Sequence, residues 1–156
     1  MSKNLTASGD RRHRGDIMSP ETRSSVMSRI RGKDTGPELL MQQALAAGGH
    51  AFERHARDLP GRPDFVYRAA RVAVFVDGDF WHGYRFAEWR MKLSEKWEMK
   101  IAATIARDRR NRRALRAAGW SVITIWEHQL KADPARAARR VSSMLAKRLT
   151  LINPRI

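Results

Sequence analysis

Leu59-Pro60-Gly61-Arg62-Pro63-Asp64-Phe65-Val66-Tyr67, then Arg71-Val72-Ala73-Val74-Phe75-Val76-Asp77-Gly78-Asp79-Phe80-Trp81-His82, is the stretch on which the fold turns. It reads as two apolar strands joined by a tight turn at Arg68-Ala69-Ala70. Val72, Val74 and Val76 alternate with Ala73 and Phe75, so both faces of the second strand are apolar and it belongs in the centre of a sheet. A carboxylate stands just before the first strand. A carboxylate, two aromatics and a histidine stand at the end of the second. Asp64 and Asp77 could share a divalent cation, with His82 placed to move a proton beside it.

Working outward, Thr35-Gly36-Pro37-Glu38 has the form of a capping box opening a helix to about Ala47, with Leu39, Leu40, Ala44 and Leu45 as its buried face. A short strand is predicted near Ala51 to Arg54. Downstream, Ser94 to Ala118 reads as a long helix ended by Gly119, with Trp97, Ile101, Ile105 and Leu115 toward the core. Trp120 to Trp126 is a second buried strand, and Asp133-Pro134 opens a last helix with Val141, Met144 and Leu145 inside. Before all of these, residues 1–18 read as a flexible basic arm carrying Arg11, Arg12 and Arg14, and Ser19-Pro20 opens a helix ended by Gly32. The expected organisation is the arm, a single domain over 19–150 and a tail over 151–156. The predicted class is α/β, a short mixed sheet flanked by helices.

The chain has 156 residues, with 31 Lys and Arg against 16 Asp and Glu, a net charge of +15. An excess of that size points to a polyanion such as nucleic acid, although a ribosomal or membrane-surface protein could carry it too. There is no cysteine, which excludes disulfides and thiolate zinc sites. With no run of eighteen apolar residues and no apolar leader core, the expectation is a cytoplasmic, nucleoid-associated protein with no membrane contact.

Several separated motifs resemble the very short patch repair (Vsr) endonucleases. They are Met18 through Thr35, Glu38, Leu59 to Phe65, Val74 to His82, Arg107-Asp108-Arg109, Gly119-Trp120 and Trp126-Glu127. The resemblance implies a restriction-endonuclease-like fold and magnesium-dependent nicking of one DNA strand beside a T:G mispair, with manganese able to substitute. It further implies Asp64 and the Val76 backbone carbonyl as metal ligands and His82 as general base. Glu38 and Asp77 would be further active-site residues, and Asp108 would orient His82. Phe80, Trp81 and Met27 would form a wedge entering the base stack. Double-stranded DNA is the implied partner, mismatch-repair proteins are candidate partners, and a monomer suffices for nicking.

Two departures accompany the resemblance. Phe75-Val76-Asp77 has no lysine where the broader superfamily carries Glu-x-Lys, as suits a branch that uses histidine. Many family members also hold a structural zinc, whereas here Asp79, Tyr84 and His128 stand near its ligand positions, so no zinc is expected. An Asp79–His128 contact is the expected substitute for the missing tie.

Plainer readings exist for each residue. Asp64 or Asp77 could cap a turn, Glu38 could close the capping box, and His82 could be a satisfied core histidine. Asp108 could pair with the arginines around it, and Phe80, Trp81 and Met27 could be core. The alternatives for function are a nuclease of the same fold without mismatch preference, acting in restriction, phage defence or a mobile element, and a non-catalytic DNA-binding protein.

Overall fold

The computed structural model describes residues 35–155. The basic arm, the helix predicted from Ser19 and the wedge residue Met27 lie outside the described residues.

The element order is α1 (Gly36–Ala46), β1 (Glu53–Arg54), β2 (Phe65–Tyr67), β3 (Val72–Asp77), α2 (Phe86–Trp89), a 3-10 turn (Arg90–Lys92), α3 (Glu95–Ala117), β4 (Ser121–Trp126), α4 (Glu127–Ala132) and α5 (Pro134–Ile152). The four strands form one mixed sheet in the order β1-β2-β3-β4. β2 and β3 pair antiparallel, with Phe65 opposite Val74. β3 and β4 pair parallel, Val72 opposite Ser121 and Asp77 opposite Trp126. The parallel pairing needs a long crossover, which α2 and α3 supply. This is the α/β, restriction-endonuclease-like arrangement, a short mixed sheet between helices.

Strand alternation divides the core. Val72 and Val74 join Phe65, Tyr67, Ile123 and Ile125 against Met41 and Leu45 of α1, Leu130 of α4, and Ala137, Val141 and Leu145 of α5. Ala73 and Phe75 face the other way and pack on Leu115 of α3. Asp77 has the parity of Ala73 and Phe75, so the strand delivers its carboxylate to the α3 side. That one-residue register decides which helix completes the site.

α1 keeps Leu45 buried and Leu40 packed on the core as predicted, and departs from the predicted face at Leu39. Leu39 is exposed, and the buried stripe is Glu38, Met41 and Leu45. The helix turns this side inward because Glu38 is held at the site, and Met41 then follows at i+3. The helix α4 has no counterpart in the sequence reading, since its six residues are too few for a periodic signal. α5 matches its predicted start, with Asp133 accepting a hydrogen bond from the Arg136 amide.

Candidate active site

Two glycines bring the site loops against α3. Gly61 has a positive φ, and a Cβ there would lie 3.0 Å from Asn111 Cβ and 3.3 Å from the Phe75 ring. Gly83 also has a positive φ, and a Cβ would come within 2.4 Å of Ile105. Any side chain would push the loop off the helix, taking His82 with it.

Asp64 sits at the mouth of β2, where its Oδ2 accepts a 2.7 Å hydrogen bond from the Val76 amide. Burial, reinforced by the nearby charges of Glu38 and Asp77, pushes its carboxyl up to about 7, against the opposing pull of the Val76 amide and His82. Glu38, His55 and Asp64 bring one ligand atom each within 4.8 Å of one another. Glu38 takes part in its capping box: its amide donates to the Thr35 hydroxyl at 3.4 Å. Its carboxylate accepts from that hydroxyl at 3.2 Å and otherwise faces Arg54 at 3.4 Å and His55 at 3.5 Å. Capping therefore leaves the Glu38 carboxylate beside His55 and Asp64.

A second group lies across the sheet's end. His82 Nδ1 meets Asp108 Oδ2 at 2.6 Å and Asp77 Oδ1 at 3.7 Å. Asp77, 2% exposed, accepts a 2.5 Å bond from Arg112, whose guanidinium also covers the Phe75 ring. Burial alone would lower the His82 pKa. The hydrogen bond to Asp108 and the charges of Asp77 and Asp108 outweigh it and Arg112, holding the ring above its ordinary value. For Asp108 burial acts upward, and the contacts with His82 and Arg107 overcome it and keep the carboxyl low.

On the same loop, Phe80 stacks on Trp89 with centroids 5.5 Å apart and meets Trp81 edge-on at 5.1 Å. Trp97 of α3 packs against both. Phe80 and Trp81 are half-buried, neither sealed in the core nor standing free. The expected tie between the loop and α4 is present: Asp79 Oδ1 lies 2.7 Å from His128 Nδ1, and Tyr84 packs on the same imidazole with centroids 4.4 Å apart.

Glu38, Asp64, Asp77, His82 and Asp108 thus converge, and Asp79 meets His128. His55, Arg112 and Trp97 complete the arrangement without having been singled out for it. His55 follows the two-residue strand β1 at φ 52°, and nothing in its local pattern marks it. Arg112 is one arginine in a run, and only its 14% exposure sets it apart. The carboxylate oxygens of Glu38 and Asp64 are of the type that suits a hard divalent cation, and the Asp64 carboxyl is raised to about 7 mainly because it is buried, with the charges of Glu38 and Asp77 adding to the effect.

Carboxylates and a histidine at the strand ends of a restriction-endonuclease-like sheet define a class, the nucleases that hydrolyse phosphodiesters. Sequence comparison narrows it. The profile of the family described as DNA mismatch endonuclease Vsr matches residues 15–88. The type II nicking enzyme V.XorIIP of Xanthomonas oryzae pv. oryzae is 40% identical over 126 residues, 80% of this chain and 93% of that protein. The nicking enzyme V.NmeDIP of Neisseria meningitidis serogroup C is 33% identical, covering 81% of this chain and 87% of its own. The DNA mismatch endonuclease Vsr of Escherichia coli is 36% identical over 118 residues, 74% of this chain and 76% of its own. The chain belongs to the Vsr family of DNA endonucleases. Among the described residues no helix is long and apolar enough to cross a membrane.

Proposed function

We propose that the protein nicks one strand of duplex DNA beside a T:G mispair, using magnesium, with manganese able to substitute. The observation that carries this reading is the pair of groups Glu38–His55–Asp64 and Asp77–His82–Asp108, with Asp64 near enough to feel the charges of Asp77 and His82, and with His82 on the loop that also bears Phe80 and Trp81. Asp64 and the Val76 carbonyl would hold the metal, with Glu38 beside them. Bound there, magnesium would offset charge on the scissile phosphate and lower the pKa of the attacking water.

His82 takes the proton from that water. Its Nδ1 is engaged by Asp108, so the tautomer leaves Nε2 as the accepting atom. Asp108 orients the ring and stabilises it once charged. The new P–O bond forms to the water oxygen as the P–O3′ bond breaks, leaving a 5′-phosphate and a 3′-hydroxyl. Asp77 adds a second negative charge next to His82 while Arg112 holds it in place.

Preference for a mispair comes from the aromatic group. Unstacking a base step costs about a few kcal/mol, least at a mismatch, so aromatics set beside the cutting residues favour mispaired sites. The E. coli relative is itself described as a mismatch endonuclease. The test is strand nicking of a labelled T:G duplex and its T:A twin in magnesium, with Asp64→Asn as control. Selective, Asp64-dependent nicking of the T:G duplex is expected. Equal cutting of both would replace mismatch repair by a nuclease without mismatch preference.

A further inference from the structure

Beyond the Asp79–His128 tie, the outer edge of β4 lies in a groove between α3 and α5. The groove has a volume of about 1230 Å³ and runs beside Val122, Thr124 and Trp126. A smaller hollow, lined by Arg109, Arg112, Arg113, Arg116 and Thr124, continues from it along α3 and shares Arg116 and Thr124 with it. Arg112 is also the residue that holds Asp77, so the groove begins at the active site.

The lining is cationic on both banks. Arg109, Arg113 and Arg116 recur at helical spacing along α3. Arg136, Arg140 and Lys147 do the same along α5, opposite them. Asp133 is the single carboxylate among the lining residues, and it lies 3.7 Å from Arg139. Arg109, Arg113, Arg116, Arg136 and Lys147 have no carboxylate partner among the described residues. Two banks of like charge facing each other across a concave surface repel and gather counterions, and a polyanion laid between them releases those ions.

A strand-adding peptide would need β4's outward backbone groups, and two of these are already engaged. The Thr124 carbonyl accepts from Arg140 at 3.3 Å and the Trp126 amide donates to Gln129 at 3.4 Å. Side chains spent in this way blunt a sheet edge against pairing.

We infer that this groove binds the phosphate backbone of the DNA arm on one side of the nicked position, as a second, sequence-independent contact separate from the residues that cut. Residues 136 to 147 of α5 span roughly 16 Å at the helical rise, the length of about five base pairs. The contact therefore engages one arm and saturates after about five base pairs. The inference rests on the DNA endonuclease activity of the family and not on the mismatch preference.

The test uses the whole protein and a variant carrying Arg113→Gln, Arg116→Gln, Arg136→Gln and Lys147→Gln, four exposed positions outside the site, with circular dichroism to check the fold. Affinity is measured in EDTA by fluorescence anisotropy, on a short T:G duplex and on duplexes lengthened by six base pairs on either arm. Extending one arm, and not the other, should tighten wild-type binding by about tenfold at 0.15 M salt, and the variant should lose that gain. The slope of log K against log salt should become shallower by about 3.6 on the long duplex, near 0.9 for each of the four phosphate contacts removed. Gains that are equal for both arms, or a variant that binds the long duplex with unchanged salt slope, would overturn the inference. Matched duplexes serve as a parallel series. Their salt slopes report on the groove even if mismatch preference fails, which separates the two ideas.

Discussion

Two carboxylate–histidine groups stand side by side at the end of this sheet, and their charge balance differs. Around His82, each carboxylate has its own cation: Asp108 meets the imidazole and Asp77 meets Arg112. Around Asp64, Glu38 faces Arg54 and His55, whereas the hydrogen bond to Asp64 comes from the uncharged Val76 amide. Burial, with the charges of Glu38 and Asp77 added, raises the Asp64 carboxyl to about 7, whereas Asp108 and Asp77 hold His82 above its ordinary value against its burial. On the proposed reading, the first is the place for an outside cation and the second supplies the proton acceptor.

Removing the cation-seeking group should have the largest effect. Asp64→Asn should abolish nicking, costing several kcal/mol of transition-state stabilisation or roughly 10³-fold in rate. Residual cutting above a hundredth of wild type would dissolve the distinction between the two groups. His82→Ala should lower the single-turnover rate by about 10²–10⁴-fold while leaving the Tm rise on adding magnesium intact. Loss of that rise would put His82 on the metal side of the comparison.

Asp108→Asn sharpens it further. His82 works as an acceptor only when neutral, so nicking should fall as pH drops through its raised pKa. Asp108 raises that pKa, so its loss should move the acidic limb to lower pH while the rate at high pH falls by roughly ten- to a hundredfold, a part of the proton-transfer contribution. An unmoved limb would remove His82 as its source.

Stability tests the other group. The folded-state pKa of Asp64 lies above its ordinary value of 3.8, so folding favours the protonated form. In EDTA, stability from this group is intact below about pH 4 and declines as pH rises through about 7, by an amount on the order of 4 kcal/mol. Asp64→Asn should flatten the decline in chemical denaturation, and magnesium should reverse it for the wild type at pH 8. The smallest effect is expected at the loop tie. His128→Ala removes a partly exposed pair and should lower Tm by no more than about 2–4 °C. A larger loss would mean that the tie does more than anchor the loop.

Much of this was legible in the chain because the signals are local. β3 shows itself through unbroken apolar residues, α3 through its Ser94 start and Gly119 stop, and α5 through Asp133-Pro134. Asp64 and His82 stood out because each follows or precedes apolar strand residues in a stretch otherwise made of turn formers. Leu39 was assigned to the wrong face because α1 mixes apolar residues around its circumference, and periodicity alone does not choose between them. α4 was too short to register.

By itself, the sequence determined the class of fold, the order of most elements and the DNA-cutting family, and it singled out Asp64 and His82 as candidate site residues, because strand alternation, helix caps and the motifs around those two residues are written in neighbouring positions. Tertiary structure alone decided which charges meet. Arg112 is distinguished from Arg109 or Arg113 only by facing Asp77 across 35 positions of chain, and His55 joins Glu38 only because β1 lies next to the mouth of α1. Pair energies depend on distance and burial, and neither exists until the sheet has set its register.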